Sequence, residues 1–84
     1  MAEKIIVYTT EPCSFCVRTK ELLSKRGVEF EEISLAKNAD GRMALVERTG
    51  MMSFPQVTVG EEVIGGYKEV LLADEDGRWE EMAA

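Results

Sequence analysis

The chain predicts an α/β fold, a four-stranded mixed sheet with helices on both faces in the order β-α-β-α-β-β-α. Three observations carry this. A short β-branched and aromatic run, Lys4 to Thr9, gives way at once to a breaker and then to an amphipathic stretch. Two helical stretches each end on a glycine, Gly27 and Gly50, where a left-handed cap is wanted. Farther on, two short apolar runs flank Gly60-Glu61-Glu62, as in a β-hairpin. Strands joined by a helix run parallel and hairpin strands antiparallel, so the sheet is mixed.

In order, Lys4–Thr9 is almost uniformly apolar and fits a strand buried on both faces. Thr10-Glu11-Pro12 breaks it, and a helix is predicted from about Ser14 to Arg26, with Cys16, Thr19, Leu22 and Leu23 on its inner face. Glu29 to Leu35 alternates as a second strand, with Phe30 and Ile33 inward. A second helix is expected from Asp40, as N-cap, to Thr49, with Ala39, Met43 and Val46 sharing a face. Gln56–Val59 and Val63-Ile64 are the last strands. Gly65-Gly66 leads into a helix over Tyr67 to Ala73, and a further helical turn carries Trp79, whose indole N–H is expected at the surface. At least one of Met51 and Met52 is expected in the core, and Glu75, Asp76, Glu80 and Glu81 form a solvated face.

The 84 residues fit one small domain, 1–84. Histidine is absent, which excludes every Ser-His-Asp, Cys-His and HExxH arrangement. Ten Lys plus Arg against 16 Asp plus Glu leave a formal charge of −6, unsuited to nucleic acid or anionic lipid. The longest aliphatic run, Ile5-Ile6-Val7, is too short for a membrane span or a signal-peptide core, so a cytoplasmic protein is expected.

The chemistry lies in Cys13-Ser14-Phe15-Cys16. Cys13 opens the predicted helix, where unpaired N–H groups and the positive end of the helix dipole favour its anion. Cys16 stands one turn deeper, within reach of a disulfide. The nearer-surface sulfur attacks and the deeper one resolves, which is thiol–disulfide exchange. Half of a zinc site is an alternative, but no further Cys or His exists to complete it, so no metal is expected. A purely structural disulfide and a pair of core thiols also stay open. A CxxC that directly follows a strand and opens a helix favours the redox reading.

With these residues in hand, the chain resembles the glutaredoxin family of the thioredoxin-like fold. The likeness rests on Val7-Tyr8-Thr9, on Glu11-Pro12-Cys13-Ser14-Phe15-Cys16, and on Thr19 through Val28. It continues in Arg48-Thr49-Gly50, Ser53-Phe54-Pro55-Gln56-Val57 and Ile64-Gly65-Gly66-Tyr67. The resemblance implies catalytic Cys13 and Cys16 and a cis Pro55 that turns the Phe54 backbone toward Cys13; a trans proline starting an edge strand is the alternative. It further implies a glycine pair at Gly65-Gly66 that lets the chain bend near a ligand, and glutathione contacts at Phe15, Phe54, Pro55, Gly66, Tyr67 and Lys68.

Departures from the family pattern qualify this. Relatives usually carry Lys where this chain has Thr10, and Glu11 adds a negative neighbour, so the Cys13 thiolate is expected to be less well held than is usual. Met51 stands where an Arg or Gln often holds a glutathione carboxylate, and Ser14 where Pro is common. Lys68 would supply a charge to the γ-glutamyl carboxylate, with Glu69 facing the amine. The function implied is glutathione-dependent reduction of protein disulfides and glutathione mixed disulfides by a monomer. Glutathione acts as co-substrate, with no tightly bound cofactor. The alternatives are an electron donor recharged by thioredoxin reductase, for example for ribonucleotide reductase, and a dimer binding a 2Fe–2S cluster through Cys13.

Overall fold

The computed structural model describes residues 4–83. Among these, β1 (Ile5–Thr9), α1 (Ser14–Lys25), β2 (Glu31–Ser34), α2 (Ala39–Thr49), β3 (Gln56–Val59), β4 (Glu62–Gly65), α3 (Tyr67–Glu75) and α4 (Arg78–Ala83) follow one another. The sheet order is β2-β1-β3-β4. β1 and β2 pair in parallel around α1, while β1 with β3 and β3 with β4 pair antiparallel. The mixed sheet expected from sequence is present.

β1 is not buried uniformly: Ile5, Val7 and Thr9 are buried and Ile6 and Tyr8 only half so. Central β3 is buried along its whole length. Its Val57 and Val59 join Ile5, Val7, Leu23 of α1, Val70 of α3 and Trp79 of α4 in one cluster. Each such aliphatic side chain contributes about 1.5–3 kcal/mol when fully buried. Strand alternation sends Gln56 and Thr58 to the opposite face, where Gln56 meets Thr49 at the end of α2. Helices α1, α3 and α4 therefore cover one face and α2 the other.

Helix α1 stops as its sequence demands. Gly27 takes φ +77°, the Arg26 N–H donates to Leu22 O at 3.1 Å, and the Val28 N–H donates to Leu23 O at 3.0 Å. That wrap drives Val28 into the core. Gly50 ends α2 likewise at φ +75°.

Several expectations are corrected. The second strand is shorter than Glu29–Leu35; Phe30 packs half-buried against the core as expected, and Ile33 is half-buried. Leu35, just past the strand, is the buried residue, carried inward as its N–H donates to Thr9 O at 2.8 Å. The N-cap of α2 is Asn38, not Asp40: its side-chain oxygen accepts from the Gly41 N–H at 2.8 Å. Leu45 is the buried residue of that helix, whereas Met43 is 65% exposed. Trp79 is wholly buried, and its indole N–H donates to Val70 O at 2.9 Å instead of facing water. Neither Met51 nor Met52 is core: Met51 is half-buried and Met52 is 84% exposed.

The C-terminal ends of α1 and α3 are clasped by Arg26, which donates from Nε and Nη2 to the two Asp74 oxygens at 2.7 and 2.9 Å. These bonds hold the Asp74 carboxyl below its ordinary value of 3.8. A carboxyl lowered in the folded state adds stability above its unfolded pKa, and that stability is lost as pH falls through the folded value. The melting temperature is therefore expected to drop as pH is taken from 5 to below 3.8. Asp74→Asn should flatten that part of a melting-temperature profile; an unchanged slope would contradict the contribution.

Candidate active site

The polypeptide leaves β1 at Thr9 and turns through Thr10, Glu11 and Pro12, with a cis Glu11–Pro12 bond. Cys13 follows in extended conformation, φ −155° and ψ 95°, as the N-cap of α1. Its sulfur accepts a hydrogen bond from the Cys16 N–H at 3.1 Å. Serine, threonine and aspartate oxygens usually fill this role; here a sulfur does. An orphan amide of the first helical turn and the helix dipole thus converge on the atom where negative charge develops.

Cys16 lies on the inner face of α1 and is 2% exposed, whereas Cys13 remains half-buried. The two Cα atoms are 5.3 Å apart and the sulfurs are joined in a disulfide. That asymmetry separates the roles of the two sulfurs. Cys13 is open to a partner, and Cys16 can be reached only by the sulfur beside it. No group of three or more metal-ligating side chains occurs among the described residues.

Phe15 is 49% exposed, and its ring meets that of Tyr67, the first residue of α3, with centroids 5.4 Å apart. The Arg18 guanidinium lies 5.5 Å above the Phe15 ring, within cation–π range. Phe15 and Tyr67 belong to an open, largely apolar groove of about 510 Å³, whose opposite wall is Met51, Ser53, Phe54 and Pro55. The Phe54–Pro55 peptide is cis. Gly66, Lys68, Glu69 and Leu71 complete the lining, with Lys68 its one basic side chain among the described residues. The structure thus gathers Phe15, Phe54, Pro55, Gly66, Tyr67 and Lys68 around a single groove.

The first glycine of the pair has a geometric reason. Gly65 takes φ +126°, and a Cβ there would meet Glu69 Cγ at 2.7 Å. A Cβ on Gly66 would stand 3.4 Å from Pro55 O, an ordinary van der Waals contact, so Gly66 runs close beside the cis-proline wall. Glu69 turns back to accept the Gly66 N–H at 2.9 Å. One of its two oxygens thus caps α3, while the side chain also lines the groove.

Three participants escaped the sequence reading. Gln56 is fully buried and bonds to the loop that forms the groove wall, Thr49 at the end of α2 donates its hydroxyl to the Gln56 oxygen, and Ser53 lines the wall. A polar side chain at the start of an otherwise inward-facing strand, directly after Pro55, was the available signal.

The glutaredoxin family model matches residues 5–64. A glutaredoxin of Pseudomonas aeruginosa is 32% identical over 74 residues, covering 88% of each chain. Glutaredoxin 3 of Escherichia coli is 37% identical over 71 residues, covering 84% of this chain and 86% of that one. Among solved structures, a buckwheat glutaredoxin–glutathione complex superposes with a TM-score of 0.85 at 30% identity, covering 96% of this chain and 76% of the other. Glutaredoxin from Brucella melitensis gives 0.83 at 30% identity, covering 98% and 89%. A helix-capping cysteine with a buried partner one turn away is the apparatus of thiol–disulfide exchange, and on these matches the chain belongs to the glutaredoxin family.

Proposed function

We propose that this chain is a glutathione-dependent oxidoreductase that reduces protein disulfides and glutathione mixed disulfides in the cytoplasm, as a monomer. The observation that carries the reading is the amide of Cys16 donating to the sulfur of Cys13 at the mouth of α1. In the reduced chain that sulfur attacks one sulfur of a substrate disulfide. A new S–S bond forms as the old one breaks, and the departing thiolate takes up a proton.

With a glutathionylated protein, the glutathione moiety passes to Cys13 and a second glutathione removes it as glutathione disulfide. With a protein disulfide, the Cys16 thiol gives up its proton and attacks Cys13 Sγ. The substrate leaves with both sulfurs reduced, two electrons having moved, and the chain is left with the Cys13–Cys16 bond. Two glutathione molecules then restore the dithiol. Glutathione is a co-substrate rather than a resident cofactor.

The groove supports the glutathione reading. Phe15, Tyr67, Phe54 and Pro55 offer apolar walls to a short peptide, while the first-turn amides of α3 and the Lys68 ammonium suit a carboxylate. The neighbouring fold of a buckwheat glutaredoxin solved as a glutathione complex points the same way. Steady turnover is expected in an assay that couples glutathione, glutathione reductase and NADPH to a glutathionylated peptide. No turnover there, with activity restored by thioredoxin reductase, would favour the second reading. That reading draws on Met51 in the wall and on Lys68 as the lone cation lining the groove among the described residues.

A further inference from the structure

The wall of the groove opposite Phe15 and Tyr67 is a loop, and a loop holds its shape only if something fixes it. Residues 50–55 join α2 to β3, and Met51, Ser53, Phe54 and Pro55 all face the groove. Behind them stands Gln56, fully buried and not itself part of the lining.

Every strong hydrogen-bonding position of its carboxamide is directed at this loop or its anchor. Nε2 donates to Met51 O at 2.9 Å and to Ser53 O at 3.1 Å, so both amide hydrogens reach carbonyls of the wall. Oε1 accepts from the Thr49 hydroxyl at 2.8 Å. The same hydroxyl oxygen accepts the Met51 N–H at 3.1 Å. Met51 is therefore gripped by both its backbone groups, once directly by Gln56 and once through Thr49. Two carbonyls on one side and one hydroxyl on the other also fix which way round the carboxamide lies. The ring is closed around a buried carboxamide whose two hydrogens and oxygen are all engaged, the condition under which a polar network gives rigidity.

We propose that Gln56 is a positioning residue for thiol–disulfide exchange. Its carboxamide sets the shape of the Met51–Pro55 wall, and thereby the affinity for disulfides that carry a peptide, without touching substrate or sulfur. The proposal rests on the reading that substrate occupies this groove. A loop free to move would have to be ordered on each encounter, and that ordering is subtracted from binding. A disulfide with no peptide to lay against the wall has nothing to lose.

The test measures the rate at which the reduced chain attacks three disulfides: cystamine, glutathione disulfide, and the mixed disulfide of an ordinary cysteine tetrapeptide. In Gln56→Met, which keeps the volume but neither donates nor accepts comparably, the rates on both peptide disulfides should fall about tenfold. The rate on cystamine should stay within twofold. Thr49→Val cuts only the relay and should give a smaller change of the same kind, which also serves if Gln56→Met folds poorly. Leu45→Ala is the control, because it removes a buried α2 side chain outside the groove. It should lower the melting temperature and leave the ratio of peptide to cystamine rates unchanged.

Equal loss on all three disulfides, no loss on any, or the same altered ratio in Leu45→Ala would overturn the proposal. A native chain that prefers glutathione disulfide no more than the tetrapeptide disulfide would instead remove the glutathione reading. The tetrapeptide and cystamine rates would still decide the role of Gln56.

Discussion

Serine in place of Cys13 is expected to abolish reduction of every disulfide substrate, whereas serine in place of Cys16 should abolish only one class. The difference follows from burial and from one hydrogen bond. Cys13 is half-open, and its sulfur receives the Cys16 amide at 3.1 Å. A serine hydroxyl there can still cap the helix, but it stays protonated at neutral pH and cannot form the mixed disulfide. The expected loss is at least about a thousandfold in turnover, while the melting temperature of the reduced protein changes little, because serine is itself a good N-cap.

Cys16 is 2% exposed and reaches only the sulfur beside it. Its serine variant should therefore keep deglutathionylation, in which free glutathione completes the cycle, within a few-fold of the native rate. It should leave protein disulfides trapped as a mixed disulfide on Cys13, visible by mass spectrometry. Identical behaviour of the two variants would contradict the division of labour.

The largest expected loss of stability is at Trp79. Trp79→Ala should cost about 3–5 kcal/mol, the usual range for emptying a buried aromatic site. A chain of this length has roughly 4–12 kcal/mol in all, so the variant should lose from about a quarter of that stability to all of it. The reason is placement. Trp79 is completely buried within the cluster of Val7, Leu23, Val57 and Val70, and its N–H closes a bond to Val70 O across the α3–α4 turn. Trp79→Phe isolates that hydrogen bond and should lose less, since a typical one is worth about 1 kcal/mol on top of the smaller volume change. Urea denaturation followed by far-UV circular dichroism measures both. A loss under about 1 kcal/mol for the alanine variant would contradict the packing described.

These residues also mark where sequence reasoning succeeds. The cysteine pair and the glycine stops at Gly27 and Gly50 were legible because each acts locally: a spacing of three, or a single positive φ, is visible without knowing what packs where. The hairpin turn was legible for the same reason. Helix α2 was legible in extent but not in its buried face, because it carries two candidate apolar stripes, one through Met43 and Val46 and one at Leu45. Only the sheet beneath it decides between them. Trp79 was misplaced in part because an indole near the end of a chain can take its hydrogen bond from water or from protein, and sequence does not say which. Within the site, the groove residues close to the cysteines or in the Phe54-Pro55 and Gly65-Gly66 segments could be named in advance. The Thr49–Gln56 lock could not, since its bonds form only when the end of α2 and the start of β3 are brought side by side.

The central physical claim is that the opening turn of α1 stabilises negative charge on Cys13. Its most direct measurement is the rate of iodoacetamide alkylation of reduced Cys16→Ser protein as a function of pH, which reports the ionisation of Cys13 alone. The account predicts a midpoint clearly below the ordinary free-thiol value of about 8.5. A midpoint at or above that value would mean that the helix start does not activate this sulfur, and the mechanism built on it would fail.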